Sequence, residues 1–182
     1  RSESVQIVEQ LTPVSVNEIK PGVFIYDLGQ NIAGWVRLKV NAPAGTRVTI
    51  RQGERLSPDG TLYTENLRRA KSTDVYICKG SGEEIYEPHF TFHGFQYVEL
   101  TGLPSAPGKD AVTGCVVRSA TTDAGKFECS HPGVNRLWLN GLWSQKDNFL
   151  TGPTDCPQRD ERLGWMGDAQ VFLRRASYNM DV

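Results

Sequence analysis

The hydrophobic pattern of the chain changes near residue 120, and this change restricts the fold more than any other feature. Before it, apolar and polar residues alternate in short runs separated by turn-forming stretches. Alternation with period two, rich in Val, Thr, Tyr and Phe, is typical of half-buried strands. Because no helical pattern intervenes, residues 1–119 are predicted to form an antiparallel β-sandwich or jelly roll. The strand-like runs are residues 23–28, 34–40, 47–51, 74–78, 90–100 and 112–117.

After residue 120, the apolar residues recur with helical spacing. One helix is predicted from Ser130 and Pro132, which are start signals, and a second helix from near Asp168. Two helices cannot bury their apolar faces by themselves. We therefore expect residues 120–182 to be the incomplete N-terminal part of a helical domain, and the chain to be a piece of a larger protein. The apolar stripes are Val134, Leu137, Trp138 and Leu142, then Ala169, Phe172, Leu173, Ala176 and Met180.

The composition excludes several classes of function. The 182 residues are 38% hydrophobic and 23% charged, as in globular domains. A formal net charge of −1 argues against a nucleic-acid partner, and no apolar run approaches the roughly 20 residues that cross a bilayer. The four cysteines form no C-x-x-C pair, so we expect neither a metal nor a cofactor. The short basic cluster of Arg68, Arg69 and Lys71 is interpreted as a solvated loop or strand end. The sequence indicates no compartment.

Residues 155–168, here called the acidic segment, are the most distinctive stretch of the chain. Their sequence is Asp-Cys-Pro-Gln-Arg-Asp-Glu-Arg-Leu-Gly-Trp-Met-Gly-Asp, between the two predicted helices. Carboxyl groups can donate protons, accept protons and hold sugar hydroxyls, and the aromatic ring can stack on a sugar ring. Long structured loops of this kind are often functional. The acidic segment therefore predicts the general-acid side of a glycoside hydrolase active site.

Structural roles for the acidic segment are also open. Calcium binds carboxylates, but the Asp-x-Asp-x-Asp-Gly spacing of a calcium loop is absent. Asp168 could cap the second helix, which would not prevent a sugar contact. Asp160 and Arg162 could form a structural ion pair, and Trp165 could pack in a core.

The acidic segment closely resembles the active-site loop of bacterial α-L-rhamnosidases, glycoside hydrolase family 78. Residues 26–35, 53–54 and 92–97 also resemble the β-sandwich domain that precedes the catalytic domain in that family. The resemblance spans nearly the whole chain. It implies that residues 120–182 begin an (α/α)6 barrel, and that the reaction is inverting hydrolysis of terminal α-L-rhamnosides, such as those of plant or microbial glycans or glycosides.

The resemblance also implies roles for single residues. Glu161 matches the general acid that protonates the leaving oxygen. Asp155, Arg159 and Asp168 match residues that hold rhamnose hydroxyls, and Trp165 matches an aromatic wall of the subsite. The general base of the family is a glutamate downstream of residue 182, and inverting hydrolysis requires two carboxyl groups roughly 6.5–9.5 Å apart. We therefore expect the 182-residue chain to be inactive without the remainder of the catalytic domain.

Two other functions are compatible with the sequence. The chain could be a carbohydrate-binding β-sandwich module with a helical tail as its linker, although a linker does not need the charged cluster at residues 159–162. It could also belong to an (α/α)6 glycosidase for another sugar, because specificity in the resembled family depends strongly on residues downstream of this chain.

Overall fold

The computed structural model describes residues 3–182 and contains mainly strands before residue 120 and mainly helices after it. The predicted fold class, a mainly antiparallel β domain followed by a helical hairpin, is confirmed. The division into domains at residues 1–119 and 120–182 stays a prediction. The strands are β1 (Val5–Leu11), β2 (Ser15–Lys20), β3 (Val23–Asn41), β4 (Arg47–Gly53), β5 (Arg55–Leu56), β6 (Leu62–Tyr63), β7 (Thr73–Ile77), β8 (Glu83–Tyr86), β9 (His93–Thr101), β10 (Val112–Ser119), β11 (Phe149–Leu150) and β12 (Gly152–Pro153); the helices are α1 (Pro132–Asn148) and α2 (Met166–Asn179).

The long strand β3 organises an eight-stranded antiparallel sheet. Its first half pairs with β2 and β9, and its second half pairs with β10 and β8. The sheet continues from β9 to β4 and β7, and from β10 to β1. Between the halves, the register with β9 shifts between Asp27 and Ile32. Within this stretch, Gly29 has a positive φ of 73°, and its amide donates a hydrogen bond to the Asp27 carboxylate. This bulge lets one strand serve two differently directed parts of a curled sheet.

The core lies inside the curled sheet. Alternate residues of β3 point inward, because side chains alternate between the two faces of a strand, and each of these residues is at most 6% exposed. Phe95, Val98 and Leu100 of β9 pack against them. The period-two pattern of the sequence is therefore the pattern of this core. The inward residues of β3 are Phe24, Tyr26, Leu28, Ile32, Val36, Leu38 and Val40.

One end of the sheet supports the acidic segment. His93, the first residue of β9, lies with its Nε2 3.0 Å from the carboxylate of Asp74 in β7. This contact brings the loop before β7 beside the start of β9. A 3₁₀ turn at Glu65–Leu67 lies within that loop.

The helices differ in detail from their prediction. α1 begins at Pro132 as expected, with His131 as the capping residue. α2 begins at Met166 with Trp165 at the capping position, so the interpretation of Asp168 as the helix cap is wrong. Asp168 lies instead in the first turn of α2, where a carboxylate interacts favourably with the helix dipole.

The contact between the two helices is polar at its centre. Asn179 donates a 2.9 Å hydrogen bond to Gln145, and Gln145 donates one of 3.1 Å to the carbonyl of Ala176. Leu137 and Leu173, from the predicted apolar stripes, are 63% and 56% exposed. These two leucines are therefore not buried in this hairpin, whereas Ala176 and Met180 of the second stripe are 0% exposed. Within residues 3–182, neither helix has the length and apolar character needed to cross a membrane.

Candidate active site

The acidic segment begins with a closed loop that Asp155 holds together. The Asp155 amide donates to the carbonyl of Leu163 at 3.0 Å, and the Leu163 amide donates back to the Asp155 carboxylate at 2.9 Å. Burial raises the pKa of Asp155, but bonds from Arg159, Cys156 and the Leu163 amide outweigh it and hold this pKa below its usual range. Asp155 is therefore a charged anchor of the loop.

Arg159 joins two carboxylates of the acidic segment. One of its nitrogens, Nη2, lies 3.2 Å from Asp155 Oδ2 and 2.8 Å from Glu161 Oε2. Its Nε donates to the sulfur of Cys156 at 3.1 Å. A guanidinium with several fixed partners has a defined orientation, so Arg159 fixes the distance between Asp155 and Glu161.

Glu161 accepts hydrogen bonds at both carboxylate oxygens. Oε2 accepts a 3.3 Å hydrogen bond from Nη1 of Arg68 in the β domain and forms an ion pair with Nη2 of Arg159. Oε1 receives the indole N–H of Trp165 at 3.0 Å. The side chain of Glu161 remains 24% exposed, so a ligand can reach it. Three donors therefore hold this carboxyl group beside the ring of Trp165.

A cavity of about 520 Å³ opens beside these residues, between the end of α1 and the start of α2. Asp155, Trp165 and Asp168 line it, so three of the five predicted site residues share one space. Arg159 and Glu161 do not line the cavity and are connected to it through Asp155 and Trp165. Trp165 is 49% exposed, which excludes the alternative that it packs in a core of this chain.

The β domain holds the acidic segment from outside. Arg69 pairs with Asp160 at 3.0 Å, and the guanidinium of Arg162 lies 4.4 Å from the ring centre of Phe92. The predicted ion pair between Asp160 and Arg162 is therefore wrong, because each has a partner in the β domain. A Cβ added at Gly94 would lie 2.9 Å from the backbone nitrogen of Gln158, so only glycine permits this approach.

Sequence reasoning missed the contribution of the β domain to the site. The basic cluster lies in a solvated loop as predicted, with the Arg68 and Arg69 side chains 55% and 93% exposed, but the prediction did not include their contacts with the consecutive acids Glu161 and Asp160. The sequence signal that could have predicted these contacts is that two adjacent basic residues, Arg68 and Arg69, match two adjacent acidic residues, Asp160 and Glu161, in charge. Within residues 3–182, no group of three His, Cys, Asp or Glu residues forms a set that could hold a metal ion.

Comparison with known proteins identifies both parts of the chain. The family model for the bacterial alpha-L-rhamnosidase concanavalin-like domain matches residues 17–118. The model for the bacterial alpha-L-rhamnosidase 6 hairpin glycosidase domain matches residues 122–182. Together the two models cover most of the chain.

Individual relatives agree with this match. An alpha-L-rhamnosidase from Streptomyces avermitilis is 53% identical over 97% of this chain, and one from an Alteromonas species is 41% identical over 98%. The solved alpha-L-rhamnosidase from Dictyoglumus thermophilum superimposes with a TM-score of 0.98 at 43% identity, covering 100% of this chain and 21% of that one. The Streptomyces avermitilis enzyme, solved in complex with L-rhamnose, superimposes with a TM-score of 0.97 at 52% identity. The match covers 98% of this chain and 17% of that one.

The chain spans only 17% to 20% of the length of these curated relatives. Its β domain and its helical hairpin are both matched within that span. The chain therefore belongs to the bacterial alpha-L-rhamnosidase family.

Proposed function

We propose that this chain provides the general-acid and sugar-binding side of an inverting α-L-rhamnosidase whose general base lies outside these 182 residues. The observation that carries the proposal is the carboxyl group of Glu161, held by Arg159 and Trp165 next to a cavity lined by further acids. The family membership of the chain supports the reaction. The relative solved with L-rhamnose supports the substrate class.

The proposed roles follow the geometry of the site. Glu161 donates its proton to the leaving oxygen of the glycoside. Trp165 offers an exposed aromatic face on which the sugar ring can stack, while its indole N–H orients Glu161. Asp168 lines the cavity and can accept hydrogen bonds from sugar hydroxyls. Asp155 lines the same cavity and can hold a sugar hydroxyl there, and Arg159, which contacts Asp155 from behind the cavity wall, keeps that carboxylate in place.

The general base cannot be Asp155. Its side chain is 9% exposed, and its oxygens already accept bonds from Arg159 and the Leu163 amide. A base that activates water needs a carboxylate oxygen directed at that water, across the sugar from the acid. We therefore assign the base to a carboxylate of the longer enzyme. A purified 182-residue chain is expected to show no hydrolysis of an aryl rhamnoside.

The test compares two substrates with Glu161→Gln in the longer enzyme. With a poor leaving group, the variant is expected to lose about 10²–10⁴-fold in kcat/KM, because protonation of the leaving oxygen is required. With a very good leaving group the loss is expected to be much smaller. Asp160→Asn is the matched control, because Asp160 pairs with Arg69 and not with a group of the proposed mechanism. The kcat/KM of this variant is expected to stay close to that of the original enzyme on both substrates.

Equal losses on both substrates would remove Glu161 from the role of general acid. Measurable turnover by the 182-residue chain would contradict the assignment of the base. If the longer enzyme hydrolyses the aryl glycoside of another sugar faster than the aryl rhamnoside, the proposed substrate would be wrong. The assignment of Glu161 as general acid would still stand.

A further inference from the structure

We propose that Arg68 of the β domain is a positioning residue for Glu161, so that the active site is built from both parts of the chain. This inference rests on the proposed function of Glu161. The carrying observation is the 3.3 Å contact between Arg68 Nη1 and Glu161 Oε2, which joins residues 93 positions apart. None of the roles implied by the sequence includes a residue of the β domain.

The backbone around Arg68 is anchored on both sides. The preceding Leu67 is 1% exposed, and Asn66 donates a 2.8 Å hydrogen bond to Glu54, which also accepts one from Asn31. The Ala70 amide closes a turn onto the carbonyl of Leu67 at 3.0 Å. This frame fixes where Arg68 leaves the β domain, although its side chain is 55% exposed.

The conformation of Arg68 is itself costly. It has φ 56° and ψ −112°, a combination that non-glycine residues rarely adopt. Such strain persists only where surrounding contacts enforce it, and it concentrates at functional sites. Here the strained residue is the one whose guanidinium reaches the proposed acid.

The two arginines on Glu161 act on the same oxygen. Arg68 and Arg159 both contact Oε2, whereas Oε1 faces the indole N–H of Trp165. A protonated carboxyl group carries its hydrogen on one oxygen, and two guanidiniums make Oε2 the unfavourable one. Arg68 therefore helps to direct the transferable proton to Oε1, on the side of the aromatic ring.

Arg69 provides a comparison within the same loop. It pairs with Asp160 at 3.0 Å, and its side chain is 93% exposed. A pair this open is screened by solvent and contributes little to stability. Substitution of Arg69 therefore removes the same charge from the same loop without touching Glu161.

The test substitutes each arginine by methionine in the longer enzyme and measures kcat/KM with poor and good leaving groups. Arg68→Met is expected to lose about 10- to 100-fold on the poor leaving group, because a misplaced acid transfers its proton less efficiently. The loss on the good leaving group is expected to be smaller. Arg69→Met is expected to stay within about 2-fold on both.

Two further readouts separate positioning from general damage. Arg68→Lys, which keeps the charge, is expected to recover part of the activity. Thermal unfolding of all variants is expected to match that of the original enzyme.

The inference is overturned if Arg68→Met behaves like Arg69→Met, or if its loss is equal on both substrates and Arg68→Lys recovers none of the activity. These outcomes are distinct from failure of the proposed function. That failure appears in the unsubstituted enzyme, as absent rhamnoside hydrolysis, or in Glu161→Gln, as a loss independent of the leaving group.

Discussion

The β domain and the helical hairpin bury very different side chains. Seventeen buried residues form one continuous core within the curled sheet, and they are aliphatic, aromatic, alanine or cysteine side chains. The buried residues of α1 are Gln145 and Asp147, and α2 buries Ala176 and Asn179. Large apolar residues of the helices, such as Leu137, Val171 and Leu173, are more than half exposed. The β domain therefore contains its own driving force for folding, whereas α1 and α2 bury few apolar side chains, among them Ala176, and Trp143 packs partly buried against the β core.

This difference explains where the candidate site lies. Catalytic groups need precise orientation, and orientation is most reliable beside a rigid scaffold. The acidic segment belongs to the hairpin in sequence, but Arg68, Phe92 and Gly94 hold it against the β domain. The well-packed part of the chain thus supports the candidate active site.

The largest expected effect tests the contrast in packing directly. Phe95→Ala, in the β core at 0% exposure, is expected to lower the free energy of unfolding by about 3–5 kcal/mol, since it removes a buried ring and leaves a cavity. Leu173→Ala, on α2, is the control and is expected to cost less than about 0.5 kcal/mol. Urea unfolding of the 182-residue chain measures both. Similar costs would show that the hairpin is packed as tightly as the sheet.

The next effect tests the junction between the two regions. Gly94→Ala is expected to cost about 1–3 kcal/mol, because the new methyl group would overlap Pro157 and Gln158 of the acidic segment. Gly167→Ala is the control, since an added Cβ there meets nothing within 4 Å and alanine favours the helix. Thermal unfolding compares them. Equal midpoints for the two variants would mean that the acidic segment does not rest on β9.

The third effect concerns a buried acid at the same junction. Asp147 of α1 accepts a 2.9 Å hydrogen bond from the Ala33 amide in β3. Burial raises the pKa of Asp147 to about 7, opposed by the bond from Ala33 and assisted by the charge of Glu54. The unfolded value is about 3.9, so between about pH 4 and pH 7 the folded chain keeps a proton that the unfolded chain releases. Stability from this group is therefore lost as the pH rises through about 7.

Asp147→Asn is expected to remove this dependence, because the amide stays neutral. Relative to the original chain, the variant is expected to be more stable at pH 8 than at pH 5 by roughly 2 kcal/mol, measured by urea unfolding at both pH values. In the control Asp160→Asn no such gain is expected, because Arg69 holds the pKa of that carboxyl below its usual range. Parallel pH profiles for Asp147→Asn and the original chain would contradict the prediction.

The sequence alone determined that a sheet of strands precedes two helices, and which charged and aromatic groups the acidic segment carries. Period-two and helical patterns are local, so they identified the central strands and both helices without knowledge of the fold. They did not predict β1, β2 or β8, and they divided β3 into two strands, because edge strands and a bulge weaken the alternation. The start of α2 was misplaced by two residues, because Asp168 is a good capping residue and Trp165 is not. The roles of Asp155, Arg159, Glu161, Trp165 and Asp168 stay predictions.

Only the tertiary structure decided which charges meet. Asp160 and Arg162 are two positions apart, and this short separation favoured a pair between them. In the fold, Arg69 lies beside Asp160 and Phe92 lies beside Arg162 instead. Arg68 reaches Glu161 across 93 positions for the same reason. Likewise, helical periodicity marked apolar faces but not the burial of Asp147, which accepts a hydrogen bond from the Ala33 amide, 114 positions away in β3. Contacts between distant segments depend on how the sheet curls, and no local pattern encodes that.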